Sequence, residues 1–180
     1  MIEKPSSWIV VLYDVPSEPS KLKVRIWRDF KKIGALYPQM SLCLLPNNKE
    51  NYEKIEKIEK IILSGGKFIK ITATELDEKE HDKILDMYRK ERDRQYDEIV
   101  EECDEFIEET ELNTRNKKFT QEEVDEMEEV LDGLYRWLNK ALSLDWVDES
   151  PKILQLKELL KKCQDSMDHF AELSFHKKQQ

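Results

Sequence analysis

The chain has 180 residues, of which 38% are charged, with a formal net charge of −9 and only four Gly and six Pro. That balance suits a helix-rich soluble protein and argues against an all-β barrel or sandwich. No apolar run approaches the ~20 residues of a membrane helix. The N-terminal MIEKPSS has no apolar core of signal-peptide length, so a cytoplasmic protein is expected.

In chain order, Trp8 to Tyr13 is a short apolar run rich in β-branched and aromatic residues, which predicts a buried strand. Pro19 and Ser20 open a helix, with Ser20 as the expected N-cap. Leu22, Ile26, Phe30 and Ile33 form its inward face, and Gly34 stops it. Leu36 and Tyr37 begin a second strand, and Met40 to Leu45 a third. Asn47 and Glu50 suggest a capping box for a helix to about Leu63, with Tyr52, Ile55, Ile58, Ile62 and Leu63 inward. Lys67 to Thr74 alternates as a fourth strand. The order β-α-β-β-α-β is that of a ferredoxin-like module, with both helices on one face of an antiparallel sheet.

Beyond Leu76 the strand signals stop. Asp77 and Glu80 offer a capping box for a long helix to about Glu111, with a heptad-like seam of Leu85, Tyr88, Arg92, Tyr96, Ile99, Cys103 and Phe106. Asn113 to Lys118 reads as a polar loop. Thr120 and Glu123 cap a helix whose face is Val124, Met127, Leu131, Leu134, Leu138 and Ala141, flanked by Trp137. Ser143 to Glu149 reads as a second loop. Ser150-Pro151 starts a third helix with Ile153, Leu156, Leu160, Cys163, Met167 and Phe170 inward. The tail from Ser174 is expected to fray. The fold class expected is therefore α+β: a ferredoxin-like module over residues 1–76, then an acidic antiparallel three-helix bundle over residues 77–180.

Charge follows the same division. Residues 1–76 carry 13 Lys/Arg and 9 Asp/Glu, a net of +4, whereas residues 77–180 carry 17 and 30, a net of −13. A basic front and an acidic back point to different partners for the two parts. Cys43, Cys103 and Cys163 are odd in number, contain no C-x-x-C, and lie on apolar faces, so they read as buried hydrophobes.

Four sets of residues resemble one family. They are S-W-[apolar]-Y-x-[VL]-P at Ser7–Pro16, V-x-x-W-R-x-x-K-K-x-G-A at Val24–Ala35, L-L-P at Leu44–Pro46, and the pair Gly65–Gly66. This pattern resembles the N-terminal domain of the chromate-resistance protein ChrB. Tyr96–Glu109, the helix start at Lys118-Phe119-Thr120, and Arg136-Trp137 fit the same family. The resemblance implies a regulatory role, with chromate sensing and control of a resistance operon. It also implies a further C-terminal domain in full-length members. The first module is similar as well to the ferredoxin-like cores of PaaX-type transcription regulators and small CRISPR-adaptation proteins. In the latter, L-Y-D presents an acid to a dimer interface, a position that Asp14 matches here.

Among candidate sites, Lys21, Arg25, Arg28 and Lys32 recur at steps of four, three and four and form one outward stripe, with Lys31 beside it. Such a stripe can neutralise phosphates along a helix, or it is simply a solvated face. Trp27 is expected to bury its ring in core or inter-domain packing. Asp14 is a candidate metal ligand if two copies meet across a dimer; a turn cap is the other reading. Glu78 and His81 form one Glu-x-x-His without a second copy, which reads as a solvated first turn. His169 and His176 have no ligand-spaced partners. Arg92 and Tyr96 on the apolar seam read as a buried ion pair, with Glu122, Glu126 or Glu129 as partners, or as an oxyanion site. No P-loop, G-x-G-x-x-G, nucleophile elbow or H-E-x-x-H occurs, so no cofactor is expected. The leading expectation is a non-enzymatic cytoplasmic regulator with weak DNA binding, expected as a homodimer. The alternatives are a metal-dependent nuclease and a protein–protein adaptor built on the acidic bundle.

Overall fold

The computed structural model describes residues 5–16, 20–74, 77–147 and 150–177, with the side chains of Ser20 and Lys177 left out. Among them are four strands and five α-helices. In order these are β1 (Trp8–Asp14), α1 (Ser20–Lys32), β2 (Leu36–Gln39), β3 (Leu42–Pro46), α2 (Lys49–Ile62), β4 (Lys67–Ala73), α3 (Glu78–Arg115), α4 (Gln121–Ser143) and α5 (Lys152–Lys177). The chain is a mixed α+β protein. None of the described helices is long and apolar enough to cross a membrane. Pro19 and Leu76, at the expected helix start and module boundary, lie outside the described residues, as does any capping by the Ser20 side chain.

The chain divides into two compact units, Met1–Glu91 with Leu144–Asp148, and Arg92–Ser143 with Glu149–Gln180. The first is built on an antiparallel sheet in the order β2-β3-β1-β4. β1 pairs with β3 on one side and β4 on the other. Alternation sends Ile9, Val11 and Tyr13 to one face, where they meet Ile26 and Phe30 of α1 and Ile55, Ile58 and Ile62 of α2. Gly34 closes α1 with φ +83°, a left-handed conformation that glycine adopts without steric cost, and Ala35 N donates to Phe30 O at 3.0 Å.

The cap of α2 sits one residue later than the sequence suggests. Asn47 is held by Ser7, its backbone N–H on Ser7 O and its side chain on Ser7 Oγ. Asn48 therefore caps, accepting from Asn51 N at 2.8 Å. Asn51 takes the inward place of that turn, with Nδ2 on Pro46 O. Tyr52 and Leu63, expected inward, are exposed; the Tyr52 ring instead carries Lys70 Nζ 4.0 Å from its centre.

The sheet's second face is covered at one end, while Leu12, Ile69 and Ile71 on it stay exposed. Trp8, Leu36 and Leu44 pack with Leu85 and Tyr88 of α3 and with Val147. Trp146 stacks on Tyr88 at 4.7 Å, its backbone N–H donates to the Tyr88 hydroxyl, and that hydroxyl donates to Leu144 O. The stretch from Ser143 to Glu149, expected as a loop, thus supplies core residues. His81, expected as part of a solvated turn, accepts through Nδ1 from Trp8 Nε1 at 3.4 Å.

In the second unit, α3 runs to Arg115 and absorbs the start of the expected loop. Thr110 and Asn113 are buried there, with Thr110 Oγ1 donating to Phe106 O and Asn113 Nδ2 to Glu123. Thr120 Oγ1 accepts from Glu123 N, the forward half of the capping box expected for α4, while the Glu123 carboxylate takes the Asn113 amide. Ser150 Oγ accepts from Lys152 N and donates to Asp93. One core unites Tyr96, Ile99, Cys103 and Phe106 with every inward residue expected of α4 and α5. Ser174, expected to begin a frayed tail, is only 2% exposed, because α5 continues through it at the spacing of Met167 and Phe170. All three cysteines are free and buried.

Candidate nucleic-acid interface

α1 leans its apolar face on the sheet and turns the rest outward. Lys21, Arg25, Arg28 and Lys32 are exposed on one side and line a common depression with Asp29. Asp29 is the member that the stripe argument missed. It lies 3.7 Å from both Arg25 Nε and Lys32 Nζ, at helical steps of four and three. Arg25 and Lys32 keep about two thirds of their side-chain exposure, so both remain open to a ligand. Lys31 differs. It is half-buried, 2.6 Å from Glu91, with its Nζ also 5.7 Å from the centre of the Tyr37 ring.

Trp27 overturns its expected burial. The residue is 47% exposed, because it lies about 100° around the helix from Ile26, and Ile26 with Phe30 fills the contact with the sheet. It borders a groove of about 540 Å³ with Tyr13, Tyr37, Met40, Val24 and Lys23. Met40 is 86% exposed at the β2–β3 turn, and Ser41 there holds φ 68°, a region non-glycine residues rarely occupy. Tyr13 N donates to Ser41 O at 3.0 Å, which anchors that turn. Only the exposure of Trp27 could be sought in the sequence, through its offset from the Leu22–Ile26–Phe30 face. The groove needs β2 and β3 beside α1.

Burial raises the Tyr13 phenol above its ordinary value, the Tyr37 hydrogen bond pulling it partly back. Burial raises the Tyr37 phenol too, and pushes the Cys43 thiol up to about 12. All three stay neutral at physiological pH.

The remaining candidates are dispersed. Asp14 is exposed at the end of β1, in register with Lys67 of β4. No group of three or more His, Cys, Asp or Glu among the described residues is arranged to hold a metal. Arg92 and Tyr96 are both buried on α3, one turn apart. Glu122, Glu126 and Glu129 lie on the exposed face of α4.

The architecture is that of a two-part α+β protein, a helix-covered antiparallel sheet with a cationic helix face, joined in sequence to a unit of long acidic helices. The chain belongs to the family described as Protein ChrB, N-terminal, whose model matches residues 23–180. That membership relates it to chromate resistance. No curated protein and no solved structure matches it.

Proposed function

We propose that this chain is a non-enzymatic cytoplasmic regulator of chromate resistance that contacts DNA weakly through α1. The observation that carries the reading is the set Lys21, Arg25, Arg28 and Lys32, exposed together on one helix face. Phosphate neutralisation needs several cations on one side of one element, and this face supplies them. The acidic residues 77–180 repel phosphate, which confines the contact to the front of the chain. The strand order β2-β3-β1-β4 supports a ferredoxin-like core of the kind expected for such regulators. The shared core of α3, α4 and α5 supports a three-helix bundle. A homodimer doubles the phosphate contacts.

The test is a mobility-shift assay on the protein's own promoter DNA, with and without chromate. The parent binds at low salt, and the Arg25→Glu, Arg28→Glu double variant does not. Parent protein that binds nothing would remove the DNA reading and leave a protein–protein adaptor working through the acidic helices.

A further inference from the structure

We infer that the groove beside α1 holds an unstacked nucleobase, so that the preferred ligand is single-stranded or locally opened nucleic acid rather than closed duplex. This rests on the phosphate-contact reading of α1 and adds a base subsite to it.

The first ground is shape. The groove is lined by the exposed Trp27 and Met40 together with Tyr13 and Tyr37, within about 540 Å³. Every base has a π face, and exposed aromatic rings stack on it without regard to sequence. Inside a duplex that face is covered by neighbouring base pairs.

Charge is the second ground, and it decides the occupant. α1 carries six Lys/Arg, at positions 21, 23, 25, 28, 31 and 32, against the single acid Asp29. Lys23 lies on the groove itself, and Val24 borders both the groove and the cationic depression. One ligand can therefore place an aromatic group against Trp27 and its linked phosphates along Arg25 and Arg28. An uncharged aromatic molecule or a neutral peptide would leave the cations unused.

The hydroxyls form the third ground. Tyr13 and Tyr37 hold one hydrogen bond between them, at 3.1 Å, and both phenols are neutral at physiological pH. Neutral hydroxyls donate and accept, which suits the mixed edge of a base and does not repel a phosphate-bearing ligand.

The experiment compares binding of a labelled oligothymidylate with an abasic oligomer of the same length, for the parent, Trp27→Ala and Trp27→Phe. Circular dichroism checks that each variant is folded. The parent should prefer the thymidylate by about tenfold, as expected for loss of one base–aromatic stack. Trp27→Ala should lose that preference while keeping the parent's salt dependence, and Trp27→Phe should retain most of it. If the parent binds both oligomers equally and Trp27→Ala matches it, the base subsite is overturned and the phosphate contact stands. If neither oligomer binds at low salt, the phosphate contact itself fails and the subsite falls with it. Trp27-dependent capture of an acidic peptide, without oligonucleotide binding, would also overturn the inference.

Discussion

The hydroxyl oxygens of Tyr13 and Tyr37 meet 3.1 Å apart, joining β1 to β2 although β3 lies between them in the sheet. The Tyr13 ring stacks on Phe30 of α1 at 5.5 Å, and Phe30 meets Tyr37 edge-on at 6.4 Å. Two phenols, one phenyl ring and the Cys43 thiol thus fix α1 on the sheet, and with it the cationic face and the groove.

That cluster should make the protein sensitive to alkali. Cys43 is raised from its ordinary 9.0 to about 12, chiefly by burial, and Tyr13 and Tyr37 are raised from 10.0. The folded state therefore favours the protonated forms. Their contribution to stability is complete below pH 9, begins to fall as unfolded Cys43 ionises, and falls faster once the unfolded phenols ionise above pH 10. The loss should reach a few kcal/mol by about pH 11. Urea unfolding at stepped pH measures it, and Cys43→Ala should delay the onset. A stability unchanged from pH 8 to pH 11 would contradict the argument.

DNA affinity should depend steeply on salt. With about four phosphates neutralised by Lys21, Arg25, Arg28 and Lys32, the log–log slope should be roughly −3.6 on duplex DNA, at about −0.9 per phosphate, and roughly −2.8 on a single strand, at about −0.7. Asp29, shared between Arg25 and Lys32, opposes that contact. Asp29→Asn should therefore raise affinity several-fold at low salt, measured by fluorescence anisotropy. A decrease would mean that Asp29 orients the cations rather than competing with phosphate.

The two adjacent glycines after α2 should respond differently to alanine. A Cβ on Gly66 would come within 2.4 Å of Asp14 O and 2.8 Å of Val15 Cγ1, whereas one on Gly65 would meet nothing within 4 Å. Gly66→Ala should cost about 1–3 kcal/mol through overpacking where the chain enters β4. Gly65→Ala should be neutral or stabilise by up to about 1 kcal/mol, because the unfolded chain loses freedom. Thermal melts of the two variants decide it, and equal effects would refute the close approach at Gly66.

Asp14 should not support nuclease chemistry. It stands exposed beside its register partner Lys67, and metal-assisted phosphodiester cleavage calls for several convergent oxygens. Incubation of DNA or RNA with pure protein and Mg²⁺ or Mn²⁺ should leave the substrate intact. Degradation that disappears in Asp14→Ala would reverse this.

Legibility in the sequence varied with the range of the forces involved. The inward faces of α4 and α5 were readable residue by residue, because a helix at 3.6 residues per turn shows its buried stripe as spacing, and Thr120 and Ser150 mark their starts through purely local hydrogen bonds. β1 was readable from its apolar run and β4 from its alternation, whereas β3, expected from Met40, begins at Leu42 because Met40 and Ser41 form the turn. The α2 cap was not, since choosing Asn48 over Asn47 depended on Ser7, 40 residues away.

The sequence by itself determined the identity and order of the nine described elements, the apolar faces of α4 and α5 and the cationic stripe on α1, since each is a matter of local periodicity and charge. Only the tertiary structure decided that a groove forms beside Trp27, that Lys31 is tied to Glu91, and that Trp146 and Val147 serve the sheet. Those outcomes depend on which distant surface each side chain meets. Periodicity identifies the sides of an element, but a side chain between the fully inward and fully outward positions is buried only if a partner from elsewhere in the chain arrives to cover it.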